Sequence, residues 1–281
     1  MSAVLAVSNL SVTLQRGKYS KTLLNNIDFS VRQGQCLGIL GESGSGKSMT
    51  AKSILGLLPH EFVVSGKAIY QGKDLLGQSK ETLRQMRGKE ITMVLQNPMT
   101  CFDPLYRVGY QLAETMQTHT DWSKEEIQTR SAQILKDMKI RDGGEVLEKY
   151  PHQLSGGMLQ RIMIGLAMAL KPALLIADEP TTAIDAITQY SVMEEFRRIK
   201  EEHGTAMIFI SHDLGAISCV ADDILVLNQG KVADMGSFHH ILHHAKDPYT
   251  KLLIEKRGAV MEKYRAALKK GGTAYASVTE Y

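Results

Sequence analysis

Two glycine-rich segments that lie far apart in the chain constrain its fold and chemistry more than any other feature. Residues 41–48 read Gly-Glu-Ser-Gly-Ser-Gly-Lys-Ser and directly follow an apolar run, and residues 154–161 read Leu-Ser-Gly-Gly-Met-Leu-Gln-Arg. A strand, a glycine loop and a helix in succession predict a phosphate-binding loop, which holds a triphosphate by itself. The second segment is a glycine-rich helix start that suits a triphosphate held by a partner chain. Together they predict a nucleotide-driven clamp between two chains.

The first segment supplies a complete set of phosphate ligands. Its glycines allow the backbone to curl so that successive N–H groups face the β- and γ-phosphate oxygens. Lys47 adds a positive charge for the same phosphates, and the Ser48 hydroxyl is a ligand for Mg²⁺. The strand before the loop and the helix after it argue against an accidental glycine turn. The predicted nucleotide ligands here are Gly41, Glu42, Ser43, Gly44, Ser45, Gly46, Lys47, Ser48 and Met49.

An apolar run that ends in two acids, Asp178 and Glu179, is the expected companion of such a loop. Asp178 is predicted to hold Mg²⁺ through its water shell, and Glu179 to polarise the attacking water near the γ-phosphate. The alternative is an acid pair that only caps a helix. The phosphate loop upstream favours the catalytic assignment.

Composition limits the classes of partner. The 281 residues carry a formal net charge of +3, too small to require nucleic acid or lipid, and 6% aromatic residues are few for a surface that stacks single-stranded nucleic acid. The three cysteines form no C-x-x-C pair, which argues against zinc and iron–sulfur sites and suits a reducing cytosol. We find no secretory signal pattern and no apolar stretch near the roughly 20 residues that span a bilayer. Any membrane connection is therefore expected to come through a partner.

Apolar periodicity predicts an α/β fold. Alternation with a period of two over residues 4–14 and 24–31 predicts antiparallel strands in the N-terminal third. Short continuous apolar runs predict strands that are buried on both faces, with helices between them. The further predicted strands cover residues 36–40, 91–96, 174–177, 206–210 and 224–227, and the predicted helices cover residues 48–58, 116–149 with a break at 143–144, and 155–170.

Taken together, these motifs resemble the ATP-binding subunits of ABC transporters. The 154–161 segment matches the signature of that family, and it occurs here with the phosphate loop, the Asp178-Glu179 pair and a following His212. The resemblance covers about residues 4–250. It implies ATP and Mg²⁺ as ligands and ATP hydrolysis that is coupled to transport.

The resemblance also implies a domain organisation. The fold would be a RecA-like P-loop core with an N-terminal antiparallel β subdomain and an inserted α-helical subdomain over about residues 97–170. Residues 1–250 would form this nucleotide-binding domain. Residues 251–281 would form a basic helix and a flexible tail.

In this family two subunits pack head to tail around two ATP molecules, which implies a role for each matching residue. Gln96 would sense Mg²⁺ and the attacking water. His212 would contact the γ-phosphate and hold Glu179 and the water in place. The residues implied to act on the partner's ATP or across the dimer are Ser155, Gly156, Gly157, Gln160 and Asp185.

Two positions depart from the family pattern. Ile184-Asp185 stands where the family usually has Leu-Asp at the dimer-contact turn, a volume-conserving change. The family's adenine-stacking aromatic residue lies upstream of the phosphate loop. Tyr19 is the aromatic residue nearest to that place, in a register that the sequence leaves open.

Local sequence resembles the importer branch for dipeptides, oligopeptides and nickel. This likeness is carried by residues 41–46, residues 96–100 (Gln-Asn-Pro-Met-Thr) with Asp103-Pro104, residues 176–182 and residues 247–250 (Asp-Pro-Tyr-Thr). Peptide importers often add a C-terminal cysteine cluster, whereas no cysteine follows Cys219 here. We therefore predict import of nickel or a metal chelate, with di- or oligopeptide import as the alternative.

Two C-terminal features allow more than one interpretation. His239, His240, His243 and His244 could form a metal site because imidazole binds nickel and zinc, but a histidine-rich end of a surface helix explains them as well. The basic segment 251–270 suits either a solvated surface helix or contact with acidic headgroups or a partner.

The implied partners are integral membrane permease subunits, a second ATPase subunit that is identical or homologous and, indirectly, an extracytoplasmic solute-binding protein. The segment after Gln96 would meet the permease, which implies a peripheral location at the cytoplasmic face of the inner membrane. We expect no nucleic-acid partner. A soluble ABC-type ATPase acting on nucleic acid or ribosomes usually carries a coiled coil, zinc fingers or two fused halves, and a P-loop kinase would not explain residues 154–161.

Overall fold

Two sheets make up the β structure of this computed structural model, which describes residues 3–182 and 184–256. One sheet is antiparallel and has four strands, and the other has six strands that are parallel apart from one edge strand. The strands are β1 (Ala3–Arg16), β2 (Tyr19–Arg32), β3 (Cys36–Leu40), β4 (Phe62–Tyr70), β5 (Lys73–Asp74), β6 (Ile91–Val94), β7 (Leu174–Asp178), β8 (Ala206–Ser211), β9 (Asp223–Asn228) and β10 (Lys231–Ser237).

Helices follow most strands of the six-stranded sheet. They are α1 (Lys47–Ile54), α2 (Lys80–Met86), α3 (Val108–His119), α4 (Lys124–Asp137), α5 (Gly143–Glu148), α6 (Gly156–Ala169), α7 (Ala186–His203), α8 (Leu214–Val220), α9 (Phe238–His244) and a further helix over residues 248–256. Short 3₁₀ turns occupy Leu75–Gly77, Pro98–Thr100 and Pro151–Gln153. Within the described part of the chain, every helix is too short or too polar to cross a membrane.

The order of the strands brings distant segments together. The antiparallel sheet has the order β2-β1-β4-β5, and the larger sheet has the order β10-β9-β3-β8-β7-β6. In the larger sheet β10 runs antiparallel to β9, and the other neighbouring strands are parallel. Strands alternating with helices therefore give the α/β fold that the sequence predicts.

The larger sheet separates two hydrophobic cores. Along β3, Cys36 and Leu40 belong to the core beneath the helices, whereas Leu37 and Ile39 belong to the core shared with the antiparallel sheet. All five residues of β3 are buried. A strand that is covered on both faces needs apolar residues at every position, which explains the absence of alternation in its sequence.

The helices α3 to α6 form a layer between β6 and β7 in the chain. Apolar residues of these helices, among them Leu112, Ile134 and Ile162, are buried in the same core as β7. Helix α4 begins with a capping box in which Ser123 and Glu126 each accept a hydrogen bond from the other's backbone N–H. The layer lies within the predicted helical segment 97–170.

Helix α1 is shorter than the sequence predicts. It ends at Ile54 rather than continuing to Leu58 before Pro59, because Gly56 adopts a left-handed conformation with a φ of 62°. Glycine tolerates this conformation, and it commonly ends a helix. Residues Leu57 and Leu58 consequently lie in the connection to β4.

Other boundaries also differ from the predictions. The helix predicted over residues 116–149 is divided, since α3 begins at Val108 and ends at His119 before α4 starts. Strand β6 ends at Val94, which leaves Gln96 in the bend that follows. Residues Gly143 and Gly144 begin helix α5 instead of separating two helices, after Asp142 in a left-handed conformation. At the C-terminus, residues 251–256 are helical, and the remainder of the predicted basic helix and tail lies outside the described residues.

Candidate functional site

The predicted phosphate ligands lie at the carboxyl edge of the larger sheet. Strand β3 ends directly before the phosphate loop, β7 ends at Asp178, and β8 ends at Ser211, directly before His212. These three strands are neighbours in the order β3-β8-β7. Since the carboxyl ends of adjacent parallel strands meet at one edge, segments that are distant in sequence converge here.

The backbone of the phosphate loop depends on glycine at two positions. Gly44 has a φ of 80° and Gly46 a φ of 108°, values that residues with a side chain rarely adopt. Helix α1 starts directly after Gly46, so its first N–H groups and its positive dipole end point at the loop. This arrangement suits the binding of an anion such as phosphate.

Lys47 is held inside the loop by backbone and side-chain oxygens. Its Nζ donates to the carbonyl oxygens of Gly41 at 2.8 Å and Glu42 at 2.9 Å, and it lies 4.0 Å from Oε1 of Glu179. The Lys47 side chain is buried. Its charge is therefore already positioned between the loop and the Glu179 carboxylate, which phosphate oxygens could replace as its partner.

The turn between β9 and β10 supports the loop, and the sequence motifs do not predict this support. The N–H of Gly230 donates to the carbonyl oxygen of Ser45 at 2.9 Å. A Cβ atom at Gly41 would lie 2.4 Å from the carbonyl oxygen of Leu227, so only glycine allows this approach. The available signal was a glycine shortly after the predicted strand over residues 224–227.

Ser48 and Asp178 form a direct contact across the site. Ser48 Oγ donates to Asp178 Oδ1 at 2.7 Å. Burial raises the pKa of Asp178, and the hydrogen bond from Ser48 partly offsets this effect. A hydroxyl oxygen and a carboxylate are ligands that Mg²⁺ accepts, so this pair fits a magnesium ion.

Glu179 is the centre of the predicted catalytic group. Its Oε2 lies 2.6 Å from Nδ1 of His212, and its side chain is almost fully buried. The backbone of Glu179 has a φ of 49°, an uncommon conformation for a residue with a side chain, and its N–H donates to the carbonyl oxygen of Ile210. The His212 side chain is 49% exposed, so solvent or a ligand can reach the imidazole.

The signature segment presents an open helix start. Ser155 caps α6, because its Oγ accepts a hydrogen bond of 3.2 Å from the N–H of Met158. Ser155 is exposed, and a Cβ atom at Gly156 would meet nothing within 4 Å. Gly156 and Gly157 form the first turn of this helix of 14 residues. The surface around them is accessible to a partner.

Gln160 does not belong to that accessible surface. Its side chain is fully buried, and its Nε2 donates to the carbonyl oxygen of Leu95 at 3.3 Å. A direct contact between Gln160 and a partner's ATP does not fit this burial. The residue instead connects α6 to the segment that follows β6.

Asp185 lies at the surface beside the signature helix. Burial lowers the pKa of Arg161 in α6, and the nearby charge of Asp185 partly offsets that effect. The carbonyl oxygen of Asp185 accepts a hydrogen bond from the N–H of Gln189. Asp185 is exposed directly before α7, and its charge acts on the helix that carries the signature.

Gln96 and Tyr19 are both exposed. Gln96 lies two residues beyond β6, which is the neighbour of β7, and so reaches the same edge of the sheet as Asp178. Tyr19 begins β2, an edge strand of the antiparallel sheet, and 55% of it is exposed. An assignment of Tyr19 to adenine stacking stays a prediction.

The fold, the phosphate loop and the signature segment together indicate one protein family. Comparison with known proteins identifies the same family. Residues 24–182 match the family model described as ABC transporter, which is more than half of the chain. The dimeric cassette MJ0796, also solved in a dimeric post-hydrolysis state with ADP and Pi, has a TM-score of 0.75 and 25% identity, with 83% of this chain and 98% of that one covered. The chain belongs to the ABC transporter family, as an ATP-hydrolysing, ATP-binding subunit. The predicted family and fold class are confirmed.

Several curated relatives are ATP-binding proteins of import systems. The metal-staphylopine import system ATP-binding protein CntD of Staphylococcus aureus is 44% identical over 88% of this chain and 91% of its own length. The oligopeptide transport ATP-binding protein OppD of Haemophilus influenzae is 38% identical over 89% of this chain and 77% of its own length. The glutathione import ATP-binding protein GsiA of Escherichia coli is 38% identical over 89% of this chain, which corresponds to 41% of the longer GsiA.

Proposed function

We propose that this chain is the ATP-hydrolysing motor of an importer that takes up a metal chelate. The observation that carries the catalytic part is the convergence of Lys47 and His212 on the buried carboxylate of Glu179, at the mouth of the phosphate loop. This arrangement combines a phosphate ligand, a general base and a residue that orients the base.

Hydrolysis at this site requires attack of water on the γ-phosphorus. The loop amides and Lys47 would hold the β- and γ-phosphates, so Lys47 would exchange its contact with Glu179 for phosphate oxygens. Glu179 accepts a proton from the attacking water while the bond between the γ-phosphorus and the bridging oxygen breaks, giving ADP and inorganic phosphate. His212, 2.6 Å from Glu179, keeps the carboxylate in position.

Ser48 and Asp178 are the residues that fit Mg²⁺. Ser48 Oγ would ligate the ion, Asp178 would hold its water shell, and Gln96 at the same edge of the sheet would face it. When bound, Mg²⁺ supplies positive charge at the β- and γ-phosphate oxygens. It would also offset the cost of keeping the Asp178 carboxylate charged in a buried place.

A second ATPase subunit completes each site. The exposed helix start at Ser155, Gly156 and Gly157 would bind the γ-phosphate of the ATP held by that subunit through a hydroxyl and backbone N–H groups. Asp185 would communicate across the same interface. The dimeric state of the similar cassette MJ0796 supports this arrangement.

The proposed cargo is a metal chelate. The 44% identity to a metal-staphylopine import protein over most of both chains supports it. Di- or oligopeptide import is the second candidate, supported by the 38% identity to an oligopeptide transport protein. Membrane permease subunits, an extracytoplasmic solute-binding protein and a peripheral location at the cytoplasmic face of the membrane follow from either cargo.

Uptake by the organism that carries this chain tests the proposal. Deletion of its gene should abolish uptake of radioactive nickel supplied as a chelate and leave uptake of a labelled dipeptide unchanged. The wild-type gene should restore uptake, whereas a gene encoding Glu179→Gln should not. Loss of dipeptide uptake with normal nickel uptake would favour the second candidate over the first.

A further inference from the structure

A tyrosine near the end of the described chain reaches back to the phosphate loop. Tyr249 Oη accepts a hydrogen bond of 2.9 Å from the backbone N–H of Glu42, which is 207 residues away in sequence. We propose that Tyr249 is a positioning residue for the phosphate loop, and that it makes ATP affinity depend on the segment 245–250, which we call the C-terminal strap. This proposal rests on the proposed nucleotide site and deepens it.

The hydrogen bond acts on the peptide unit that holds Lys47. The N–H of Glu42 and the carbonyl of Gly41 belong to the same planar peptide group. That carbonyl oxygen accepts a hydrogen bond of 2.8 Å from Lys47 Nζ, and the carbonyl oxygen of Glu42 accepts another of 2.9 Å. Rotation of the Gly41-Glu42 peptide would move an acceptor that fixes the ammonium group. Tyr249 opposes this rotation from the other side of the peptide, and consecutive hydrogen bonds through one peptide strengthen each other.

The strap is itself fixed to the sheet. The carboxylate of Asp234 in β10 accepts hydrogen bonds from the N–H groups of Lys246 at 3.4 Å and Asp247 at 3.0 Å. The side chain of Asp247 accepts a further bond of 2.8 Å from the N–H of Tyr249. Thr250, directly after the tyrosine, is fully buried. The position of the Tyr249 hydroxyl therefore depends on β10 and the strap together.

The tyrosine hydroxyl has more influence on the loop than on folding. Glu42 is exposed, so water can replace the hydroxyl as a partner for its N–H when the protein is free of nucleotide. The ring of Tyr249 packs against the core, and the variant Tyr249→Phe keeps this ring. Removal of the oxygen alone should consequently affect the orientation of the peptide, and with it ATP binding, while the packing stays intact.

The first test compares Tyr249→Phe with Tyr110→Phe, a matched change at an exposed tyrosine of α3. In the full chain, ATP affinity by titration calorimetry and KM should weaken about 2- to 10-fold for Tyr249→Phe, the value of one hydrogen bond. Its kcat at saturating ATP and its unfolding temperature without nucleotide should match the wild type. Tyr110→Phe should match the wild type in every measurement. Unchanged ATP affinity, or a loss of nucleotide-free stability that accounts for the weaker binding, would overturn the proposal.

A second test asks whether the strap transmits the effect. Asp234→Ala should weaken ATP binding about as much as Tyr249→Phe, and the double variant should be no worse than either single variant, because both remove the same support. Additive losses would show that the strap does not act through Tyr249. Lys47→Ala distinguishes failure of the nucleotide-site assignment from failure of the positioning role of Tyr249. If Lys47→Ala leaves ATP binding intact, the assignment of the nucleotide site is wrong. If it abolishes binding and Tyr249→Phe changes nothing, the positioning role alone is wrong.

Discussion

The two phosphate-binding regions of this chain are held in different ways. The phosphate loop is bound from several sides: Lys47 contacts Glu179, Ser48 contacts Asp178, and Gly230 supports the loop backbone. At the start of the signature helix, Ser155 makes a local capping bond and Gly156 faces open space. This difference is what we expect if one chain contains the binding half of one site and the closing half of another, as proposed above.

Replacement of Glu179, the acid beside the phosphate loop, should have the largest effect on ATP hydrolysis. Glu179→Gln removes the group that accepts the proton of water, and we expect kcat to fall by about 10²- to 10⁴-fold. ATP binding should persist because the loop and Lys47 are unchanged. Single-turnover hydrolysis together with ATP titration measures both quantities. A wild-type kcat in this variant would exclude Glu179 as the base.

Removal of the loop charge should act on binding rather than on chemistry alone. Lys47→Ala deletes charge-assisted contacts to two phosphate groups, so ATP affinity should fall about 100-fold or more. Lys73→Ala, at an exposed residue of β5, serves as the matched control and should bind ATP as the wild type does. Equal affinities of the two variants in titration calorimetry would contradict the site assignment.

In contrast to Lys47→Ala, a change in the signature region should lower the rate of hydrolysis without lowering ATP affinity. Ser155→Arg places a bulky cation at the open helix start, and we expect unchanged ATP affinity with a roughly 10- to 100-fold lower rate of hydrolysis, because phosphate contacts from the partner are lost. Thr129→Arg on the exposed face of α4 controls for an added arginine and should hydrolyse ATP normally. Weaker ATP binding by Ser155→Arg would mean that both regions serve one nucleotide in one chain.

The smallest predicted effect concerns stability. The pKa of Asp178 is higher in the folded chain than in the unfolded chain. The unfolded chain therefore loses the Asp178 proton at a lower pH. Folding becomes less favourable as the pH rises from the unfolded-state pKa to the folded-state pKa. Asp178→Asn removes this penalty. Without nucleotide at pH 7, the variant should unfold a few degrees above the wild type, and the difference should disappear below about pH 4.

Calorimetric scans of Asp178→Asn with and without Mg²⁺ and ATP test the proposed role of the carboxylate at the ion. Mg²⁺ and ATP should stabilise the wild type more than the variant. The charged carboxylate of Asp178 interacts favourably with the ion, whereas the uncharged amide of the variant does not. A variant that is less stable at pH 7 and equally stabilised by Mg²⁺ and ATP would contradict this account of the site.

Much of the fold could be predicted because its signals are local. The buried strands β3, β7 and β8 appear in the sequence as short apolar runs, and the phosphate loop depends on glycines at fixed spacing. The cap at Ser155 is likewise a contact between near neighbours. Local patterns of this kind can be recognised in the sequence without knowledge of the tertiary structure.

The remaining features depend on contacts between distant segments. The burial of Gln160 follows from the approach of α6 to Leu95, which helical spacing alone does not reveal. The contact between Tyr249 and Glu42, and the support of Ser45 by Gly230, similarly join segments whose separation in sequence hides their proximity. These contacts arise from the order of strands in the sheet.

Complementation between two inactive variants tests most directly whether each site is shared by two chains. Lys47→Ala keeps a working signature region, and Ser155→Arg keeps a working phosphate loop. When the two full chains are mixed, each mixed dimer contains one complete site, so ATP hydrolysis should rise well above the sum of the separate variants. A mixture no more active than that sum, under conditions where wild-type chains dimerise and hydrolyse ATP, would show that the sites are not shared between two chains.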